Sequence, residues 1–186
     1  MIYRINVRLT ELCREKGIAA ISPAVTEEYD AFRIPELKFS STWSERHVAF
    51  AAGLGRFGLN ASLITPLGTN VRFGSIITNL KLEPAVVNSQ NYRAPCLDSE
   101  GRECAACVKR CPVGALTEKG LNKFKCNAMR KAVRRRHLSQ YSQEMNMLSS
   151  PVVKNGTRKD GYSLGCALCQ CGVPCEGSDP FKGRIG

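Results

Sequence analysis

The sequence predicts an α+β protein in two parts, an αβ region over residues 1–84 followed by a cysteine-rich domain over 85–186. Three observations predict it. Helix-like and strand-like hydrophobic periods alternate through the first part. A polar stretch bounded by prolines, 83–95 (EPAVVNSQNYRAP), separates the two. Nine of the ten cysteines then fall beyond that stretch. A hydrophobic fraction of 43% is ordinary for a globular chain, so a core can form. No apolar run approaches the eighteen or so residues that a membrane span needs, and no secretory signal opens the sequence. A soluble, cytoplasmic protein is expected.

Taken in order, residues 2–17 have the period of an amphipathic helix, with Ile5, Leu9, Leu12 and Lys16 on one face and Gly17 placed to end it. Cys13 lies in this helix and is expected to be a small packing residue. Residues 18–24 predict a short buried strand closed by Pro23, and 25–42 a loop. Ser41 or Ser44 can cap a second helix over 43–54. The string Gly53-Leu-Gly55-Arg56-Phe-Gly58 then matches G-x-G-x-x-G, but it follows a helix instead of joining a strand to one, which removes the dinucleotide-binding context. What such glycines do permit is close backbone approach. Strands are predicted at 62–65 and 71–80.

The second part is organised by Cys96-x7-Cys104-x2-Cys107-x3-Cys111-Pro112. The C-x2-C-x3-C-P portion is the latter part of the bacterial ferredoxin run, in which the cysteine before proline ligates a second cluster. A second group answers that need: Cys166, Cys169, Cys171 and Cys175, with Cys126 between the groups. Two [4Fe–4S] clusters need about eight thiolates, and nine are available. A four-cysteine zinc site from Cys104, Cys107, Cys166 and Cys169 is the alternative, but it leaves Cys96, Cys111, Cys126 and Cys175 without a role. Disulfides fit neither the spacing nor the expected compartment.

Residues 121–141 predict a basic helix carrying Lys123, Lys125, Arg130, Lys131, Arg134, Arg135 and Arg136. Such charges ordinarily form a solvated face. Near a cluster held by Cys126 they could also steer an acidic ferredoxin or flavodoxin; RNA ranks third. The formal charge of +11 falls to about +7 if two oxidised clusters each carry roughly −2. His47 and His137 are expected to be surface or packing residues. Residues 149–165 look turn-rich, and 176–186 a mobile tail.

Read together, SERHVAFAAGLGRFGLNASLITPLGTNVRFGSIITNL, the cysteine run and the ending CALCQCGVPCEG resemble the epoxyqueuosine reductase family, itself similar to the reductive dehalogenases. The resemblance spans roughly residues 40–177. It implies a cobalamin-binding, nitroreductase-like αβ region followed by a double-cluster ferredoxin-like domain, with electrons passing from the clusters to cobalt. By this resemblance Cys96, Cys104, Cys107 and Cys175 hold one cluster, and Cys111, Cys126, Cys166 and Cys169 the other. Cys171 is surplus, though it could compete with Cys175 as the closing ligand. Gly53, Gly55, Arg56, Gly58 and Asn60 would line the corrinoid.

The sequence departs from that family in three ways. Only about forty residues precede the helix at 43–54, so the αβ region is expected to be a truncated half-site. The segment Leu37–Trp43 lacks the family's catalytic aspartate. The C-terminal helical repeats of some members are absent. Two functions follow as expectations: a corrinoid-linked iron–sulfur reductase, or a ferredoxin-type electron carrier with no corrinoid of its own. A half-site would expose apolar surface, so a homodimer or dedicated partner is expected, with Trp43, Phe50, Phe57 and Phe73 as contacts.

Overall fold

A computed structural model describes residues 2–29, 31–34, 38–84, 96–97, 101, 103–138, 150–154, 157–161 and 166–181. Helix α1 spans Ile2–Glu15 and ends in a turn at Gly17, whose φ is +71°. Its inward face is not the expected apolar stripe. Ile5, Leu9 and Leu12 are 52%, 43% and 36% exposed, whereas Asn6 and Thr10 are buried. Polar pairing selects that face: the Asn6 carboxamide donates to Ser22 Oγ at 3.0 Å, and Thr10 Oγ1 donates to the Asn6 carbonyl at 2.8 Å. Asn6 also lies against Gly74, where a Cβ would sit 2.3 Å from its Oδ1.

Strand β1 (Ala20–Ile21) pairs antiparallel with β6 (Ile77–Thr78), and Asn79 extends the pairing by donating its N–H to the Ala19 carbonyl. The ladder is only two residues long. Pro23 starts a 3₁₀ turn at Pro23–Val25, which ends β1 and leaves residues 71–76 without a partner strand among the described residues. The expected ten-residue strand is therefore mostly unpaired. Between them, the stretch expected as loop contains a hairpin, β2 (Ala31–Ile34) with β3 (Lys38–Ser41). Helix α2 (Glu45–Ala51) is shorter than predicted. Trp43 Nε1 donates to Ser75 Oγ at 3.0 Å, and that hydroxyl donates to Glu45 Oε2 at 2.7 Å, tying the start of α2 to the 71–76 segment.

Strands β4 (Arg56–Phe57) and β5 (Leu63–Ile64) form a hairpin, continued by a bridge between Thr65 and Gly68. Beyond the cysteine run come α3 (Ala106–Lys109), the hairpin β7 (Leu116–Thr117)–β8 (Gly120–Leu121), and α4 (Lys123–Leu138). Asn122 caps α4, its Oδ1 accepting from the N–H groups of Phe124 and Lys125, each at 3.1 Å. A further hairpin, β9 (Ser150–Lys154) with β10 (Thr157–Gly161), occupies the segment expected to be turn-rich. Among the described residues, the five sheets are all two-stranded and antiparallel.

The chain divides into two compact units, and the passage from Pro84 to Ala85 is one of several crossings between them. One comprises Met1–Glu45, Arg72–Pro84 and Val133–Leu164; the other Arg46–Val71, Ala85–Ala132 and Gly165–Gly186. Among the described residues, the buried apolar core consists of Ala49, Phe57, Leu59, Leu63, Ile64, Ala115, Leu116 and Val173. All eight belong to the second unit. Phe57, an expected dimer contact, is 4% exposed and packs against His47 and Phe50, with ring centroids 5.0 and 5.7 Å apart. Residues 176–181, expected as the start of a mobile tail, form turns instead: Glu176 Oε2 accepts from Gly172 N–H at 2.7 Å, and Asp179 Oδ1 from Phe181 N–H at 2.9 Å. The prolines' linker at 85–95 and the last five residues of the expected tail lie outside the described residues. Among the described residues, no helix is long and apolar enough to cross a membrane.

Candidate metal centres

Eight of the nine cysteines of the second unit sort into two sets of four. Cys96, Cys104, Cys107 and Cys175 line one cavity with Gly58, Leu59, Asn60 and Ile64. Cys111, Cys126, Cys166 and Cys169 line another with Pro112, Ala115, Leu116, Leu121 and Met129. Each cavity is about 30 Å³, roughly two to three times the least space that holds one water, so the thiols surround a void instead of packing on each other. Cys171 is exposed and lines neither. Cys13 lies on α1, in the other unit.

Local structure explains the convergence. Ala105 takes a left-handed conformation (φ +38°) that turns the chain into α3, so Cys104 and Cys107 fall either side of a tight bend. The chain then turns at Pro112, and the buried Ala115 and Leu116 anchor the segment beyond it. Helix α4 carries Cys126. The 3₁₀ turn Leu168–Gln170 carries Cys169. Cys175 is held through its backbone: its carbonyl accepts from Thr69 N–H at 2.8 Å, and the Glu176 carbonyl accepts from Thr69 and Asn70, each at 3.1 Å.

Electrostatics follow the same partition. Burial pushes the Cys107 thiol up to about 12, reinforced by Cys175, Cys96 and Cys104. Cys175 is pushed up to about 11, by burial first and then by Cys96. In the second set burial raises Cys169, with Cys126, Cys166 and Cys111 adding to it. Burial also raises Cys126 against the opposing charge of Arg130, with Cys111 and Cys166 adding to the rise. For Cys111 burial acts upward but is outweighed by the backbone N–H groups of Val113, Ala115, Leu116 and Gly114, and its thiol lies below the ordinary range. The Ala115 N–H reaches Cys111 Sγ at 3.2 Å, and Leu59 N–H reaches Cys96 Sγ at 3.4 Å.

Four thiolates so disposed require compensating positive charge at the centre of each set. The donor chemistry is uniform, four sulfurs with apolar walls. Among the described residues, no three His, Cys, Asp or Glu side chains gather as a site for a single metal ion. Four-sulfur zinc sites draw their ligands tightly around one ion. Thiols spaced around a void suit a larger thiophilic group, and the residues fit an iron–sulfur cluster in each set.

Of the residues expected around a corrinoid, Gly55, Gly58 and Asn60 lie against the chain's own atoms. Gly53, φ +72°, is exposed just beyond α2. Gly55 faces β5, where a Cβ would lie 2.4 Å from the Ile64 carbonyl oxygen. Arg56 belongs to β4. Gly58 and Asn60 line the first cysteine cavity, and the Asn60 carboxamide is used within the chain: Nδ2 donates to the Cys169 carbonyl at 2.8 Å and Oδ1 accepts from Ser62 N–H at 3.0 Å. The glycine spacing announces close backbone approach but not whose backbone approaches; here it is that of the hairpin itself. What sequence reasoning missed are the main-chain donors at Leu59 and Ala115, which carry no side-chain signal.

No protein-family model and no solved structure matches the chain. Curated relatives do. The chain is 38% identical over 101 residues to "Epoxyqueuosine reductase" of Staphylococcus aureus, covering 50% of this chain and 24% of that protein. It is 35% identical over 109 residues to the Bacillus anthracis protein of the same name, with 55% and 26% covered. It is 36% identical over 103 residues to that of Listeria monocytogenes, with 52% and 25% covered. The matched region thus spans about a quarter of the length of these relatives. Over the half that aligns, the chain is epoxyqueuosine reductase-like.

Proposed function

We propose that the chain is an electron-transfer protein holding two [4Fe–4S] clusters, one on Cys96, Cys104, Cys107 and Cys175 and the other on Cys111, Cys126, Cys166 and Cys169. The observation that carries this reading is the partition of eight cysteines around two cavities, four thiols to each. Similarity to proteins named reductases supports a redox role for the matched region. When bound, such clusters supply one-electron storage at low potential. The chain's residues hold the thiolates, exclude water with Leu59, Leu116 and Val173, and donate backbone N–H groups to sulfur. The second cavity lies beside α4, whose Lys123, Lys125, Arg130, Lys131, Arg135 and Arg136 are exposed. That basic surface suits an acidic redox partner.

The decisive experiment is metal and sulfide analysis of protein purified without oxygen. About eight iron and eight sulfide per chain are expected. Iron near four, or stoichiometric zinc, overturns the reading. Titration with cob(II)alamin tests the corrinoid-linked alternative. No base-off spectrum is expected, because Gly55, Gly58 and Asn60 already engage the chain's own atoms; a base-off spectrum would restore the corrinoid reductase.

A further inference from the structure

Between the two cysteine sets runs one short turn, Gly58–Ser62, closed by Gly58 N–H donating to the Ser62 carbonyl at 2.8 Å. Its middle residues are almost fully enclosed: Leu59, Asn60 and Ser62 are each at most 5% exposed. From this turn contacts reach both sets. On one side, Leu59 N–H meets Cys96 Sγ at 3.4 Å, and Gly58, Leu59 and Asn60 wall the first cavity. On the other, Asn60 Nδ2 donates to the Cys169 carbonyl at 2.8 Å, and Gln170 Nε2 donates to Ser62 Oγ. Ser62 N–H returns to Asn60 Oδ1 at 3.0 Å, which fixes which way the carboxamide faces.

We infer that Asn60 is a positioning residue that sets the spacing of the two clusters relative to each other, through the Asn60–Cys169 and Ser62–Gln170 hydrogen bonds. This rests on the two-cluster reading above. A buried carboxamide with both ends engaged has one orientation, because turning it over would set donor against donor and acceptor against acceptor. The turn therefore holds Cys169 of one set at a fixed height against the wall of the other cavity. In use, one electron from a low-potential one-electron donor would reduce one cluster and then pass to its neighbour. The first is reoxidised as the second is reduced, with no bond made and no proton moved. The rate of that transfer, and the magnetic interaction of two reduced clusters, both depend on their separation.

The test uses anaerobically purified full chain, reduced with excess dithionite and examined by electron paramagnetic resonance. The unmodified protein should show the broadened, split spectrum of two interacting clusters. Asn60→Asp keeps the acceptor for Ser62 but removes the donor to Cys169. It should retain both clusters by iron analysis while the splitting is reduced and the two reduction steps in a redox titration shift relative to each other. A merely structural Asn60 would lower the melting temperature and leave splitting and titration unchanged. Full iron with an unaltered spectrum overturns the inference. Should Asn60→Asp lose iron, Gln170→Ala is read in its place. It removes only the outer contact and is expected to keep full iron with a smaller loss of splitting; no change in splitting overturns the inference equally. Unmodified protein with iron near four, or with zinc, would sink the two-cluster reading itself, a result distinct from either.

Discussion

At the scale of single residues, position in the fold separates cysteines that look alike in sequence. Cys171 and Cys175 are equally plausible closing ligands by spacing, yet one is exposed and the other shares a cavity with three thiols. Cys171→Ser should therefore leave iron content and visible absorption unchanged, whereas Cys126→Ser should remove about half of the iron, as elemental analysis would show. The C-x2-C-x3-C-P run made legible only that Cys111 turns to a second group, because ligand spacing is a local property; the two fours were what the family resemblance implied. Spacing alone does not choose between Cys171 and Cys175, since that depends on how residues 68–70 grip the chain at 175 and 176; the resemblance named Cys175. His47 offers a pH-dependent check. Partial burial, then Arg46 and Lys123, hold its imidazole below the ordinary 6.5. The folded state thus favours the neutral ring. The associated stability is complete above the unfolded value and is lost as pH falls from there through the lower folded value. Melting temperatures measured between neutral and mildly acidic pH should fall less steeply for His47→Gln than for the parent; identical slopes would remove His47 from the acid response.

Among the elements, short hairpins do most of the positioning, and they were the hardest to foresee. The β2–β3 ladder pairs Ala31 with Ser41 and Ile34 with Lys38 across a stretch containing Pro35, too short and too mixed to announce a strand period. Helix α1 was foreseen correctly as a helix, but its buried side was set by Asn6, Ser22 and Gly74, three residues no hydrophobic pattern selects. The turn after β5 is the element most exposed to a single change. Gly68 has φ +78°, and a Cβ there would meet the Glu176 carbonyl oxygen at 2.3 Å. Left-handed strain of about 1–2 kcal/mol adds to an overpacking cost of about 1–3 kcal/mol. Gly68→Ala should therefore destabilise the holo-protein and lower occupancy of the first cavity, because the displaced turn carries Cys175; a denaturant titration with parallel iron analysis would show both. Ser75→Ala acts in the other unit. It strips Trp43 Nε1 of its acceptor and Glu45 of its donor, a loss of about 1–3 kcal/mol. Iron content should be unaffected.

For the whole molecule, the uneven placement of the core leads to the last prediction. The buried apolar residues, Phe57, Leu63, Ile64, Ala115 and Leu116 among them, lie in the unit that holds all eight cavity cysteines. In the other unit the described buried residues are polar, Asn6, Thr10 and Ser22. The sequence placed a boundary at residue 84 because composition changes there. It could not show that 46–71 joins the cysteine-rich segments, since that union rests on contacts such as Asn60 to Cys169 and Thr69 to Cys175 that span about a hundred residues of chain. Two cavities enclosed by so few apolar residues leave the unit dependent on what fills them, and binding free energy becomes folding free energy. Removing iron with a chelator should therefore act selectively. Amide hydrogen exchange should accelerate across residues 56–64 and 115–121, where the hairpins line the cavities, and remain near its original rate in α1. Equal acceleration in α1 would mean that the two units unfold as one body. No acceleration at 56–64 would mean that the β4–β5 hairpin stands without the metal it helps enclose.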